Sequence, residues 1–353
     1  MYPSTFRKFR SPVFCRIKCL KKVNGHLFLT RPPAQVGWRL VFLCLRGENH
    51  GSGKKKFLWR AVAVFGIIML DCQEGAIVRM IRAVAFDMDD TLLNNERQIT
   101  PFTVSILRRV ADQGIRIIPA SGRAKASMDG FVEQIGCAAA FVACNGAEVY
   151  GPMGEMWHQE LLSIEDARRC ARFAQEAGCY AQCYYGDHFY YAGTEEWARS
   201  YAAASLLTGS EVKDLPAFID RPTPKILIMA EPERVAELLP RAREQFADVA
   251  AVSCSKPYFL EMNPLRATKG NALAYLAQRW GLCPDEFMAF GDSLNDLSML
   301  TMAGYGYAMA NASEAVRRQV RLVAPSNGED GLAQVMERCA QEGLFAAPRG
   351  VGV

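Results

Sequence analysis

The chain has 353 residues, of which 50% are hydrophobic and 22% charged, and its formal net charge is +4. That length and balance describe a globular protein with room for two domains and exclude a fibrous or highly charged disordered chain. The small net charge hides two unlike parts: residues 1–79 hold 15 Lys/Arg against 3 Asp/Glu, whereas residues 80–353 hold 26 against 34.

The basic part comes first. It includes Arg31-Pro32-Pro33 and Lys54-Lys55-Lys56, and its short apolar runs show no sustained period. Gly51-Ser52-Gly53-Lys54 fails as a phosphate-binding loop, because Gly47 stands one position too far upstream and Lys55 replaces the Ser/Thr that would hold magnesium. Residues 1–79 are read as lying outside the fold, upstream of a true start at Met80; an organelle presequence and a basic interaction arm are the two other readings. The best apolar stretch, Ala61 to Leu70, is far shorter than the ~18 residues of a spanning helix, so no membrane partner is expected. The acidic remainder offers no basic stripe for nucleic acid. The 12 cysteines are scattered without a CxxC pair, which predicts reduced, mostly buried thiols in a cytoplasmic protein.

From Met80 short apolar runs alternate with amphipathic stretches, the pattern of a parallel sheet with crossover helices. Ala83–Phe86 reads as a buried strand ending at Asp87. A helix follows, with Thr100 as N-cap, Pro101 at its first position and Gly114 as its stop. Residues 115–119 form a second strand that ends at Ser121-Gly122-Arg123, and Phe141–Ala143 a third that ends at Asn145-Gly146. Between about 160 and 255 the character changes. A helix opens at Ser163, and a hairpin joins Tyr180–Tyr185 to 188–191 through Gly186-Asp187. A strand at 225–229, a helix at 232–246 and a strand at 249–253 complete a compact α+β insert. The earlier alternation is expected to resume at 256 with Phe259-Leu260-Glu261-Met262, a helix from Lys269 to Trp280 and a strand at 287–290 ending at Gly291-Asp292. Residues 346–353 read as a tail.

Four polar clusters therefore fall at strand ends or helix starts: Asp87/Asp89, Ser121-Gly122, Lys269, and Asp292/Asn295/Asp296. In open parallel sheets ligands bind at that edge. Each cluster alone has a bland reading as solvated charge, turn or helix cap, but their joint placement points to phosphoryl transfer. Two carboxylates in D-x-D spacing can divide covalent attack on phosphorus from proton transfer. Attack on a phosphate dianion requires a cation, and Mg²⁺ suits carboxylate oxygens. Asp292 supplies a further carboxylate, and Asp296 is read as a direct ligand or the holder of a bound water. Ser121 with the following backbone N–H groups can bind phosphate oxygens, and Lys269 adds positive charge against the transferring group.

Asp87-Met88-Asp89-Asp90-Thr91-Leu92, Ser121, Lys269 and Gly291-Asp292-Ser293-Leu294-Asn295-Asp296 resemble the four motifs of the haloacid dehalogenase-like (HAD) superfamily. The resemblance covers residues 81–340 and is closer to the Cof-like phosphatases, which carry a large α/β cap between the second and third motifs. Pro119–Arg123, Asn145-Gly146-Ala147, 308–312 and 327–331 resemble that branch. It implies an α/β fold, a Rossmann-like parallel-sheet core (80–160 plus 256–345) with an inserted α+β cap (161–255). It also implies a Mg²⁺-dependent phosphatase of small phosphorylated metabolites (sugar phosphate, flavin mononucleotide or pyridoxal phosphate type) working through an aspartyl-phosphate. Asp87 would be nucleophile and Asp89 general acid/base. Asp87, Asp89 (through its backbone carbonyl), Asp292 and Asp296 make up the metal set. Ser121, Gly122, Lys269 and Asn295 would hold phosphate.

A phosphomutase or other phosphotransferase is the rival reading. It is disfavoured because no second basic phosphate site is visible in the cap. A non-catalytic binding protein is the remote one, since all four motifs are intact. His158 reads as a surface residue, and His188 with Tyr184, Tyr185 and Tyr190 as cap packing. Met299, Met302 and Met309 read as core filling.

Overall fold

In the computed structural model the described residues are 80–345, together with two short strands, Leu20–Val23 and His26–Leu29, which pair as an antiparallel hairpin. The readings of residues 1–79 and 346–353 otherwise lie outside the described residues.

Strand β1 (Ala83–Phe86) is buried at every position, as a strand covered on both faces requires. It runs into a tight turn, Met88–Leu92, in which Asp90 takes a φ of +59°. Helix α1 (Pro101–Asp112) starts where Thr100 Oγ1 accepts the Thr103 N–H at 3.1 Å and Pro101 supplies a preset φ. Next come β2 (Arg116–Pro119), α2 (Lys125–Ile135) and β3 (Phe141–Ala143). β4 (Glu148–Tyr150) and β5 (Met156–Gln159) extend β3 into a small antiparallel sheet.

The insert follows with α3 (Ile164–Glu176), β6 (Tyr180–Tyr185), β7 (His188–Ala192), α4 (Glu195–Ser205), β8 (Thr208–Glu211) and α5 (Leu215–Phe218). It continues with β9 (Ile226–Met229), α6 (Pro232–Gln245), β10 (Ala250–Lys256) and β11 (Phe259–Pro264). The chain closes with α7 (Lys269–Trp280), β12 (Phe287–Gly291), α8 (Leu297–Met302), β13 (Tyr305–Met309), α9 (Glu314–Arg317), β14 (Leu322–Ala324) and α10 (Gly331–Gln341).

The first and last thirds of this region build one parallel sheet in the order β14-β13-β12-β1-β2. Every helix-connected return brings the next strand in with the same direction, so all C-terminal ends share one edge. The α/β character expected from the alternation is what forms. The insert builds a second, six-stranded sheet, β8-β7-β6-β9-β11-β10, mostly antiparallel, with α3, α5 and α6 packed on it.

One expectation fails here. Phe259–Met262 does not rejoin the parallel sheet at 256. β11 lies between β9 and β10 of the insert sheet, antiparallel to both, and the parallel sheet is regained only through α7. Leu260 and Met262 are fully buried, and they would be so in either sheet. An apolar run reports burial, not which sheet buries it. Helices α2, α4, α5 and α8–α10 and strands β4, β5, β8, β13 and β14 also form where no element is expected. Met299 and Met309 fill the core, and Met302 packs against it.

Helix α7 approaches α8 closely because Gly270 has no side chain. A Cβ there would lie 2.4 Å from the Ser298 carbonyl oxygen. Gly270→Ala is expected to cost ~1–3 kcal/mol by overpacking. Gly130→Ala, in α2 with nothing within 4 Å of the new methyl group, should instead stabilise by about 0.5–1 kcal/mol. Urea unfolding of the two variants checks the contrast; equal effects would contradict the packing.

Candidate active site

Asp87 leaves the end of β1, and its N–H donates to the Phe290 carbonyl of β12 at 3.0 Å. Ser121 and Gly122 leave β2, Asn145 leaves β3, and Asp292 leaves β12. Lys269 opens α7 after its N-cap, Thr268, whose hydroxyl accepts the Asn271 N–H. The parallel topology thus delivers all four expected clusters to one edge.

Lys269 has no solvent exposure. Its Nζ donates to Asp87 Oδ1 and to Asp296 Oδ1, the latter at 2.6 Å. Burial opposes its charge, but Asp296 and Asp87 outweigh burial and raise its pKa above the ordinary lysine value. Burial pushes the Asp87 carboxyl well up, Lys269 pulls it back, and Asp296, Asp292 and Asp89 add repulsion. Asp292 rises to about 7, through burial first and Asp296 second, although Thr91 Oγ1 donates to it at 3.2 Å.

Carboxylate oxygens of Asp87, Asp292 and Asp296 lie within 4.8 Å of one another. Such crowding of hard oxygen donors suits a divalent cation. Asp296 is the most occupied of the three. Its Oδ2 accepts the N–H groups of Asp292 and Ser293, each at 3.0 Å, while Oδ1 takes Lys269. It is fully buried and off the cavity wall, so it braces the lysine and the loop, leaving Asp87 and Asp292 open to the cavity.

Asp89 is held elsewhere. Arg123 Nε and a terminal nitrogen grip its two oxygens at 2.8 and 2.7 Å, a bidentate pair. Burial works to raise the Asp89 pKa, but the Arg123 hydrogen bonds and charge win and hold it below the usual range, with Lys256 and Lys269 helping. Asp89 thus has its own cationic partner and is not one of the three clustered carboxylates, although it lines the same cavity as Asp87.

A cavity of about 160 Å³ joins these groups. Asp87, Asp89, Ser121, Gly122, Asp292 and Asn295 line it, and Lys269 and Asp296 lie beneath. The insert closes the other side with Tyr201, Ser205, Lys256 and Phe259. Lys256 puts a basic side chain on the insert side of the cavity, a residue the sequence reading does not single out when it finds no second basic phosphate site in the cap. It was hidden because a lysine at the end of a strand looks solvated. Arg123, Lys225 and Asn145 were also missed as site residues, although each stands beside a motif or opens an apolar run. Tyr184, Tyr185, Tyr190 and His188 do not line the cavity: Tyr184 is buried and donates to Tyr201 at 2.8 Å, and Tyr190 packs on Phe218. His158 stacks half-exposed on Tyr275.

The model of the haloacid dehalogenase-like hydrolases matches residues 84–336. The chain belongs to the haloacid dehalogenase-like hydrolase family. Within it the branch is the Cof-like one, and the enzyme is a phosphatase. A Haemophilus influenzae protein named "Putative phosphatase" is 30% identical over 260 residues, covering 73% of this chain and 98% of its own. The HMP-PP phosphatase of Serratia proteamaculans is 28% identical, with 75% and 93% covered. A crystal structure of a haloacid dehalogenase-like hydrolase from Bacteroides thetaiotaomicron superposes with a TM-score of 0.67 at 27% identity, over 73% of this chain and 99% of that one. Among the described residues of this HAD phosphatase no helix is long and apolar enough to cross a membrane. Its described thiols are free; Cys144, Cys170, Cys183 and Cys339 are buried, whereas Cys283 is exposed, contrary to its apolar flanks.

Ionising Asp292 is opposed up to about pH 7, so a cation there competes with a proton. Magnesium at a hundredfold excess over Kd is expected to stabilise the fold by about 2.7 kcal/mol, raising Tm by roughly 4–5 °C for a chain of this size. The shift should be full at pH 8, smaller at pH 6 and absent in Asp292→Asn. Scanning fluorimetry reads it; equal shifts at both pH values would count against the cluster as the binding site.

Proposed function

We propose that the chain hydrolyses small phosphate monoesters with magnesium as cofactor, through an aspartyl-phosphate, an acyl phosphate formed on Asp87. The observation that carries this reading is the Asp87 carboxylate: it lies on the cavity wall, braced from below by Lys269, with Asp89 two residues further along the same loop. Attack by one Asp87 oxygen on phosphorus expels the substrate alcohol, which takes a proton from Asp89. Asp89 then removes a proton from water, the water oxygen attacks phosphorus, and phosphate leaves with Asp87 restored. Ser121, Gly122 and Asn295 hold the phosphoryl oxygens, and Lys269 opposes the negative charge that develops. Magnesium, held by Asp87, Asp292 and the Asp89 backbone carbonyl, would neutralise repulsion between the Asp87 carboxylate and the phosphate dianion.

Arg123 adds a step that Asp89 needs. In its grip Asp89 is ionised, which suits the base but not the acid. The incoming phosphate competes for the same guanidinium, and as Arg123 turns toward it Asp89 can take up the proton that it later gives to the leaving oxygen.

A cavity of about 160 Å³ supports a small leaving group, and the insert, acting as a cap, supplies the wall that would choose it. The HMP-PP phosphatase among the relatives supports a phosphorylated metabolite as substrate class, and the free thiols support a reducing, cytoplasmic setting. Lys256 favours one second reading, transfer of the phosphoryl group to another hydroxyl of a sugar phosphate, because it places a cation on the cap side of the cavity.

Release of phosphate from p-nitrophenyl phosphate with magnesium tests the main reading, and accumulation of an isomerised sugar phosphate the second. Asp87→Asn should reduce turnover to background with the fold intact, and chelation should do the same reversibly. Asp89→Asn is expected to lose about 10²–10⁴-fold in kcat while accumulating acid-stable phosphoprotein. Near-normal turnover in Asp87→Asn would exclude nucleophilic attack by that residue.

A further inference from the structure

A polar cluster that the reaction above does not use reaches from the cavity wall, which Lys225 and Glu261 help to line, back to Asn145 and Asn263. Cys144, Asn145 and Gly146 take successive positive φ values of +50°, +60° and +105°. Non-glycine residues in this region are strained and persist only where their surroundings fix them. The surroundings here are specific. The Asn145 N–H donates to the Ser121 carbonyl at 2.9 Å. Its Nδ2 donates to Glu261 Oε2 at 3.1 Å and Asn263 Oδ1 at 3.2 Å, and its Oδ1 accepts from Asn295 Nδ2 at 3.0 Å. Gly146 presses on the start of α7, where a Cβ would lie 2.3 Å from the Thr268 carbonyl oxygen.

Glu261 is one half of a buried ion pair. Lys225 Nζ donates to its Oε1 at 2.8 Å and to the Gly122 carbonyl at 2.9 Å, and the two side chains are 3% and 4% exposed. Burying two charges rarely gains stability over an apolar pair of similar volume, so stability does not account for the pair. Its contacts do. Lys225 fixes the Gly122 carbonyl, and with it the peptide whose other end is the Arg123 N–H. That N–H donates to Ser121 Oγ at 3.2 Å, which occupies one acceptor position of the hydroxyl and leaves its hydrogen for a ligand. Asn145 likewise takes one of the two Asn295 Nδ2 hydrogens, and Ser293 Oγ donates to Asn295 Oδ1. The Asn295 amide is thereby locked with one donor to spare.

We propose that Asn145 and the Lys225–Glu261 pair are positioning residues that transmit the seating of the insert sheet to the phosphate-holding groups Ser121, Gly122 and Asn295. Lys225 precedes β9, and Glu261 and Asn263 lie on β11, so any shift of that sheet reaches the β2 and β12 loops through this cluster. The inference rests on the phosphate-holding role given to those three residues above.

The test measures the Kd of inorganic phosphate with magnesium by calorimetry, together with KM, kcat and Tm. Asn145→Gly keeps the left-handed turn while removing the side chain, and Lys225→Met removes the charge at similar length. Both are expected to raise phosphate Kd and the KM for p-nitrophenyl phosphate about tenfold together, with a smaller change in kcat. Lys225→Arg should recover part of the loss. Phe173→Leu, in the apolar core of the insert, should lower Tm and leave Kd unchanged. Lower Tm with unchanged Kd and KM in Asn145→Gly and Lys225→Met would overturn the proposal, as would a wild-type chain that binds no phosphate. A wild-type chain that binds phosphate but hydrolyses no ester would sink the catalytic reading alone, and the Kd comparison would still decide this one.

Discussion

A lysine with no exposed atom is the constraint on which this site depends. Lys269 cannot keep its charge in a low-dielectric interior unless anionic partners are fixed around it. Asp87 and Asp296 are those partners, and they come from different strands, β1 and β12, while the lysine comes from α7. Satisfying one ammonium group therefore ties the end of the central strand, the start of a helix and the loop after the neighbouring strand into one arrangement. The glycines nearby follow from the same closeness. Gly291 has Asp296 where a Cβ would be, and Gly270 has the α8 backbone.

Around that centre the charges are largely paired before any ligand arrives. Arg123 neutralises Asp89 and Lys225 neutralises Glu261, both in geometry that leaves little freedom. Pre-set dipoles and charges need no reorganisation when a phosphoryl group develops negative charge, which is where they contribute most. Lys269 is shared between two carboxylates, so the crowd of Asp87, Asp292 and Asp296 keeps an excess of negative charge at one side of the cavity, while Lys256 lines the other. A dianionic phosphoryl group together with a divalent cation would complement both.

The candidate site residues are legible because several polar groups fall together at strand ends and a helix start, a joint placement with fewer structural uses than any one of them has alone. The α/β core is legible too, through alternation of buried runs and amphipathic stretches. The insert was harder. Phe259–Met262 reads as a return to the parallel sheet because Leu260 and Met262 would be buried in either sheet. The clue lay in Glu261, a carboxylate inside an apolar strand, which demands a buried cation; Lys225, opening another apolar strand, supplies it. Arg123 was in view within Ser-Gly-Arg, but nothing in one sequence distinguishes an arginine that starts a helix from one that grips Asp89. Long-range pairs of this kind are set by tertiary approach, to which local pattern is blind.

The two carboxylates of Asp87-Met88-Asp89 show how one short segment can acquire opposite chemistries. Burial alone would raise both, Asp87 more than Asp89, whose side chain is 37% exposed. The difference lies in the neighbours. Asp87 faces three other carboxylates and shares its lysine with Asp296, so it sits high; Asp89 has a guanidinium to itself, so it sits low. A cation bound beside Asp87 and an anion arriving beside Arg123 would invert both environments at once. Asp87 would be freed to act as a carboxylate nucleophile, and Asp89 would lose the partner that keeps it ionised. Binding of a magnesium–phosphate pair is in this sense the event that would exchange the two roles, and neither ligand could do so alone.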